Sequence, residues 1–202
     1  MSIYPGKLVA SDVIGGCIAV YENAFPNWQQ AISLAEQEAS NPDSYVTWLK
    51  AETIGSGIYQ DKRLNLIMGV TAGAEMGNEA MRAIHNQTFM SLTACTNDYL
   101  DKFNAAQGFT HEPYGLLKYR GGEHYKAHSD GGGMTNRIVS AVIYLNDDYE
   151  GGEIEFTNFK VKIKPLPGMC ILFPSNFAYE HTAHPIISGT KYAIVTWLHE
   201  TR

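Results

Sequence analysis

The sequence predicts an α+β fold in which helices precede a β-sandwich or barrel of the jelly-roll type. Three observations lead to this prediction. Residues from about 24 to 107 place apolar side chains at intervals of three and four, as amphipathic helices do. From about residue 115 the hydrophobic period changes to two. Turn-forming residues then separate at least six short β-rich runs, and a double-stranded β-helix is one form of such a jelly roll.

Two helices are predicted in the first half of the chain. Pro26 stands where a helix can begin, and Trp28 and Ile32 follow at helical spacing. The second helix is expected from about Asn78 to Phe103. Its core-facing stripe consists of Met81, Ile84, Thr88, Leu92, Cys95, Tyr99 and Phe103. Residues 40–77 between the helices are rich in Gly, Asn and Asp, so we expect short strands there at most.

Six strands are predicted in the second half from their apolar and β-branched content. They cover residues 116–119, 138–145, 153–156, 160–163, 169–173 and 191–198. No repeat or low-complexity tract interrupts the chain. We therefore expect a single domain over residues 1–202. Residues from about 1 to 107 would be mostly helical support, and residues from about 108 to 202 would form the double-stranded β-helix.

The composition is that of a globular protein with a mildly acidic charge balance. Hydrophobic residues make up 45% of the 202 residues and charged residues 18%, which is enough to bury a core. The formal net charge of −6 disfavours a nucleic-acid partner. No apolar run approaches the roughly 18 residues of a membrane-spanning helix, and no signal peptide is evident. We expect no membrane partner and a cytoplasmic location.

The strongest chemical signal is the motif His128-x-Asp130 together with the distant His181. Two imidazoles and one carboxylate can hold non-haem Fe(II) with open coordination positions. His128 and Asp130 follow a strand-like run and stand two residues apart, so both side chains would leave the same face of an extended segment. The motif alone is weak, because chance supplies a His-x-Asp in roughly a third of chains of this composition.

Two other histidines compete for the ligand set. His124 lies four residues before His128, which is the spacing of a chelating pair on a helix. Gly121 and Gly122 and the strand-like context disfavour a helix there. His184 is the rival of His181 for the third position, and the residues alone leave that choice open.

A longer ordered pattern surrounds these candidates. It runs Tyr119-x-x-Gly122-x-x-Tyr125-x-x-His128-x-Asp130, Arg137, Tyr144-Leu145-Asn146, Gly151-Gly152-Glu153, Pro167-Gly168, Phe173, His181-x-x-x-Pro185-x-x-x-Gly189-x-Lys191 and Trp197. In this pattern, over roughly residues 115–198, the chain resembles the prolyl 4-hydroxylase-type branch of the 2-oxoglutarate/Fe(II)-dependent dioxygenases. The resemblance implies the double-stranded β-helix fold for this half of the chain.

The resemblance also implies a ligand set. His128, Asp130 and His181 would bind Fe(II). The family places a basic residue ten positions after the distal histidine, and Lys191 stands ten residues after His181 but only seven after His184. Lys191 would then pair with the far carboxylate of 2-oxoglutarate.

Five further residues receive roles by the same resemblance. Tyr119 and Tyr144 would help to hold the 2-oxoglutarate carboxylate. Tyr125, Arg137 and Trp197 would lie on the substrate side of the pocket. Gly131-Gly132-Gly133 could let a loop close over the substrate.

The implied reaction is hydroxylation of a prolyl residue in a peptide or protein. O2 would be consumed and 2-oxoglutarate decarboxylated to succinate and CO2, with ascorbate in a supporting role. Asp130 fills the ligand position that related halogenases leave free for chloride, so hydroxylation is expected. Ile154 departs from the pattern, because many relatives have threonine there. The alternatives are the same chemistry on a small molecule or a non-prolyl residue, and a non-catalytic metal-binding jelly roll.

Overall fold

Three sheets and three α-helices make up the fold, in a computed structural model that describes residues 10, 12–14, 16–52, 62–104, 109–132 and 135–200. The helices are α1 (Trp28–Ser40), α2 (Val70–Glu75) and α3 (Glu79–Lys102). The strands are β1 (Asp12–Ile14), β2 (Ile18–Tyr21), β3 (Leu49–Lys50), β4 (Arg63–Leu64), β5 (Leu66–Gly69), β6 (Phe109–His111), β7 (Gly115–Tyr119), β8 (His124–His128), β9 (Arg137–Tyr144), β10 (Glu150–Gly151), β11 (Ile154–Phe156), β12 (Val161–Ile163), β13 (Cys170–Pro174), β14 (His181–Ala183), β15 (Ile186–Ser188) and β16 (Lys191–Glu200).

The two main sheets form a jelly roll. The larger has the order β1-β2-β13-β9-β16-β7-β5-β3, with β6 also paired to β16, and the smaller has the order β12-β11-β14-β8-β4. One apolar cluster joins them, because Phe156 of β11 packs with Tyr144 of β9 and Phe173 of β13. Burial of alternate side chains from both sheets is the interaction that holds such a sandwich together. The predicted double-stranded β-helix is confirmed.

The helices pack on the other face of the larger sheet. Met81, Ile84 and Leu92 of α3 share an apolar cluster with Leu116 of β7 and Ile194 of β16. The helix begins where the sequence predicts, because the Asn78 side chain accepts a hydrogen bond from the Met81 backbone N–H at 2.9 Å. All seven predicted stripe residues except the half-buried Phe103 are buried. None of the helices described here has the length and apolarity to cross a bilayer.

All six predicted strands are present, with ends shifted by one or two residues. The expectation that residues 1–107 are mostly helical needs correction, because β2 and β5 belong to the larger sheet. The helix α2 was also not expected in the glycine-rich region. Strand β8 lacks a clear apolar alternation, since its side chains are half-buried or exposed. Its pairing with β14 and β4 makes it a strand, and tertiary pairing of this kind is not visible in local propensity.

Candidate metal centre and its cavity

Three potential metal ligands converge where β8 and β14 pair. His128 is the register partner of His181 across the two antiparallel strands. The candidate ligand atoms of His128, Asp130 and His181 all lie within 4.8 Å of one another. The Nε2 of His128 is 3.5 Å from Asp130 Oδ1, and the Nε2 of His181 is 3.6 Å from Asp130 Oδ2. First-row metals bind N and O ligands at about 2 Å, so one ion fits between these atoms.

The placement of Asp130 differs from the expected one. Strand β8 ends at His128, and Asp130 lies in the following turn. Gly131 makes this turn possible, because its N–H donates to Ser175 O at 2.7 Å and a Cβ there would meet Arg137 O at 2.8 Å. Such tight packing also limits the movement of the Gly131-Gly132-Gly133 loop that was predicted to close over the substrate. Gly131 is held in place, and Gly133 lies outside the described residues.

Backbone carbonyls set the orientation of both imidazoles. The Nδ1 of His128 is 2.8 Å from Lys126 O, and the Nδ1 of His181 is 3.1 Å from Tyr179 O. Because a carbonyl only accepts, each Nδ1 carries the proton and each Nε2 presents its lone pair to the cluster. Burial lowers the pKa of His181 to about 4, so this imidazole is neutral near pH 7, as a metal ligand must be.

The carboxyl group of Asp130 is held in its ionised form. Burial opposes ionisation, but the two imidazoles in their protonated forms and the Ser140 hydroxyl outweigh it and keep the pKa of Asp130 well below the usual range. Ser140 Oγ donates to Asp130 Oδ2 at 2.7 Å and lies 2.8 Å from Ser175 Oγ. Sequence reasoning missed Ser140. Its only signal was a hydroxyl residue inside the apolar run of β9.

Ser140→Ala is expected to weaken Fe(II) binding about 10- to 100-fold, which is the usual effect of removing the hydrogen-bond partner of a metal ligand. The reason is that Asp130 would lose the donor that orients one of its oxygens. Metal titration of the purified variant measures this. Ser175→Ala is the matched control and should cost less, because Ser175 reaches Asp130 only through Ser140. Equal affinity for Ser140→Ala and the wild type would contradict the assignment.

The cluster lines a cavity of about 280 Å³. The residues around it include all nine that the sequence singled out: Tyr119, Tyr125, His128, Asp130, Arg137, Tyr144, His181, Lys191 and Trp197. A volume of this order suits a small ligand together with one side chain of a larger substrate. A larger groove of about 950 Å³ runs along α3 and β6, but none of the nine residues borders it.

Lys191 is a buried cation in this cavity. The residue is only 3% exposed, and its Nζ donates to Gly152 O at 2.6 Å. Burial, and then repulsion by Lys164, lowers its pKa from 10.5 to about 7. In the described part of the chain no carboxylate forms an ion pair with it. A buried ammonium without a counter-ion is costly, and its position in a cavity identifies it as a candidate anion receptor.

Two phenol rings flank this ammonium. Its Nζ is 5.6 Å from the ring centroid of Tyr119 and 5.0 Å from that of Tyr144. Tyr119 is also the register partner of Lys191 between β7 and β16. Burial raises the pKa of Tyr119 to about 12 and holds that of Tyr144 well above its usual value. Both hydroxyls therefore keep their protons and can donate to an anion.

The remaining three predicted residues lie around the metal cluster and along β9 and β16. The Tyr125 ring stacks on His128 with a centroid distance of 3.5 Å and an interplanar angle of 14°. The Arg137 guanidinium lies 3.5 Å from the centroid of the Trp197 ring. All three border the same cavity as the cluster. Their side chains offer an aromatic and hydrogen-bonding surface to a substrate.

Both rival histidines lie outside the cluster. The Nε2 of His184 is 2.6 Å from Glu155 Oε2, which occupies it in a half-exposed pair. His124 places its Nδ1 3.1 Å from Gly122 O, and β8 is a strand, so the helical chelate with His128 does not form. The geometry thus brings His181, and not His184 or His124, to His128 and Asp130.

Comparison with known proteins matches this region to one family model. The family model of the 2OG-Fe(II) oxygenase superfamily matches residues 114–199. A PKHD-type hydroxylase of Pseudoalteromonas atlantica is 29% identical over 143 residues, which are 64% of this chain and 56% of that protein. Human prolyl 3-hydroxylase 2 is 38% identical over 68 residues, 31% of this chain and 10% of that protein. The chain thus spans only part of these curated relatives.

Solved structures share the fold at low sequence identity. A viral collagen prolyl hydroxylase from Paramecium Bursaria Chlorella virus-1 superposes with a TM-score of 0.65 at 18% identity, over 93% of this chain and 98% of that one. A Pseudomonas putida prolyl-4-hydroxylase gives 0.61 at 18% identity, over 91% and 93%. With the family match, these results confirm the resemblance seen in the sequence. The segment that carries the His128, Asp130 and His181 cluster matches the model of the 2OG-Fe(II) oxygenase superfamily.

Proposed function

We propose that this chain is an Fe(II)- and 2-oxoglutarate-dependent dioxygenase that hydroxylates a prolyl residue in a peptide or protein. The observation that carries the proposal is the cavity itself. It places a His-Asp-His cluster and a buried lysine without a carboxylate partner among the described residues on the walls of one small space. A metal-binding jelly roll without activity needs the cluster but has no need of Lys191.

The residues divide into three roles in this proposal. His128, Asp130 and His181 hold Fe(II), which suits their mixed imidazole and carboxylate donors. Lys191, with Tyr119 and Tyr144, holds the far carboxylate of 2-oxoglutarate by a charged and two neutral donors. When bound, Fe(II), 2-oxoglutarate and O2 supply the oxidising chemistry that inserts one oxygen atom into a substrate C–H bond and releases succinate and CO2.

The substrate side is assigned to Tyr125, Arg137 and Trp197. Their rings and guanidinium present flat surfaces on which a pyrrolidine ring and its flanking main chain can pack. Support for a prolyl substrate comes from the relatives, several of which are named prolyl hydroxylases. Support for a cytoplasmic location, which we also propose, comes from three free cysteines and an Fe(II) site, both of which suit a reducing compartment.

The experiment is a screen of proline-containing peptides with Fe(II), 2-oxoglutarate and ascorbate, read by mass spectrometry. We expect a gain of about 16 Da, one oxygen atom, that fragmentation assigns to a proline. The matched control replaces that proline by alanine. If the oxygen atom were added to another residue, or only to a small molecule, the prolyl assignment would be wrong and the alternative substrate class would take its place.

The affinity for 2-oxoglutarate is expected to fall as pH rises above 7. The folded pKa of Lys191 is about 7 instead of 10.5, so the ammonium that binds the carboxylate is lost above that pH, at up to about tenfold in affinity per pH unit. By the same linkage, the ligand-free protein gains stability between pH 7 and 10.5, where only the unfolded chain keeps this lysine protonated.

Titration of 2-oxoglutarate into the Zn(II)-loaded protein at several pH values measures this dependence. Lys191→Arg is the control, because a guanidinium stays charged throughout the range and its binding curve should be flat. An equally flat curve for the wild type would show that Lys191 is not the receptor or that it stays charged.

A further inference from the structure

Two neighbouring side chains hold the guanidinium of Arg137 in place, one bonded to its edge and one packed on its face. Its Nε donates to Glu112 Oε1 at 2.7 Å and its Nη2 donates to Glu112 Oε2 at 2.6 Å. This is a bidentate fork, the strongest arrangement that arginine and a carboxylate form. The Trp197 ring covers one face of the same guanidinium, 3.5 Å from its carbon atom. Together they leave the group little freedom to rotate.

Glu112 is itself anchored to the strand that carries the indole. Its backbone N–H donates to Trp197 O at 2.8 Å, and its carbonyl accepts from Thr196 Oγ1 at 2.7 Å. The residue directly follows β6, which pairs with the end of β16. Arg137 begins β9, the neighbour of β16 on its other side. Carboxylate, guanidinium and indole therefore form one unit built on three adjacent strands.

Only part of this unit reaches the cavity. Arg137 and Trp197 border it, whereas Glu112 does not. The side chains of Arg137 and Glu112 are 9% and 24% exposed, so water screens the pair weakly. The bonds to Glu112 use two of the five N–H donors of the guanidinium, and its charge is balanced. What remains is a set of oriented donors in a neutral pair, which suits the uncharged main-chain carbonyls of a peptide.

We propose that Glu112 is a positioning residue for substrate recognition: it holds Arg137 against Trp197 so that the free guanidinium donors meet main-chain carbonyls of a peptide substrate. This inference rests on the proposed function, since it takes the cavity as the substrate site. It adds a residue that lies outside the sequence pattern and touches neither metal nor cavity. Its effect passes through Arg137.

Peptide binding tests the assignment without turnover. The protein is loaded with Zn(II), which has no redox chemistry, and with 2-oxoglutarate, and a proline-rich peptide with acetylated and amidated ends is titrated in. We expect Glu112→Gln to weaken peptide binding about tenfold, within the range for coupling between residues of one hydrogen-bond network, and to leave 2-oxoglutarate affinity unchanged. In an Arg137→Met background, Glu112→Gln should cause no further loss, because coupled residues are not additive.

Glu123→Gln is the matched control, since Glu123 also pairs with an arginine, accepting from Nε and Nη2 of Arg120 at its Oε1, and neither residue borders the cavity. It should leave peptide affinity unchanged. The assignment is overturned if Glu112→Gln binds the peptide like the wild type, if its loss persists with Met at position 137, or if the wild type does not bind the peptide. If the wild type binds peptide but forms no succinate with Fe(II), the dioxygenase proposal fails while the role of Glu112 stands.

Discussion

Replacement of His128 by alanine is expected to reduce Fe(II) binding by more than about 100-fold, beyond the effect of losing a partner of a ligand, and to reduce turnover to background. His128 is one of three residues whose ligand atoms lie within 4.8 Å of one another, and its loss removes one of the three protein ligands to the ion. The Asp130 carboxylate would also lose one of the neighbours that favour its ionised form. Metal titration and succinate release measure the two effects.

His124→Ala is the matched control for this variant. His124 belongs to the same strand, but its ring bonds to Gly122 O and lies outside the cluster. We expect full metal stoichiometry and turnover within a few-fold of the wild type. If His124→Ala lost the metal and His128→Ala kept it, the ligand assignment would be wrong.

Lys191→Met is expected to raise the KM for 2-oxoglutarate by two to three orders of magnitude. Truncating one partner of a buried charge pair costs about 2–5 kcal/mol, or roughly 30- to 4000-fold in affinity. The same change should not destabilise the ligand-free protein at pH 6, where the ammonium is charged and has no carboxylate partner among the described residues. Removing a buried charge can contribute about 1–4 kcal/mol of stability, against about 1–3 kcal/mol for leaving the Gly152 carbonyl without its donor.

These opposite effects distinguish a receptor from a structural lysine. A residue that only holds the fold would lower the free energy of unfolding when replaced, and KM would change little. Chemical denaturation and steady-state kinetics of the same preparation decide between the two. Lys164→Met is the control, because Lys164 is exposed and bonds to Tyr149 O and Gly151 O. It should change the KM for 2-oxoglutarate far less than Lys191→Met.

The parts of the fold that the sequence predicted are those with a strong local period. The stripe of α3 reflects one buried face, and the runs of apolar and β-branched residues in β9 and β16 reflect buried strands, so local pattern is sufficient to find them. Strand β8 has no such face, and it carries His128. In the sequence only its His-x-Asp motif drew attention to this segment. Its strand character comes from pairing with β14 and β4.

The residues of the candidate site likewise divide into those that the sequence predicted and those that it did not. Side-chain type and spacing pointed to His128 and Asp130, the family resemblance selected His181 and Lys191, and all four border one cavity. Their support was not predictable from the residues. Ser140 and Glu112 act through hydrogen bonds to partners 10 and 25 residues away in the chain, and nothing in a single sequence fixes that proximity.

The central claim is that the cluster and Lys191 together make an oxygenase. The most direct measurement is succinate formed from 2-oxoglutarate by the purified wild-type protein with Fe(II), ascorbate and O2, beside the His128→Ala and Lys191→Met variants. We expect Fe(II)-dependent succinate from the wild type and none above background from His128→Ala. Lys191→Met should form succinate at the wild-type rate only at a much higher 2-oxoglutarate concentration. Wild-type protein that binds Fe(II) fully but forms no succinate, with or without proline-containing peptides, would contradict the account.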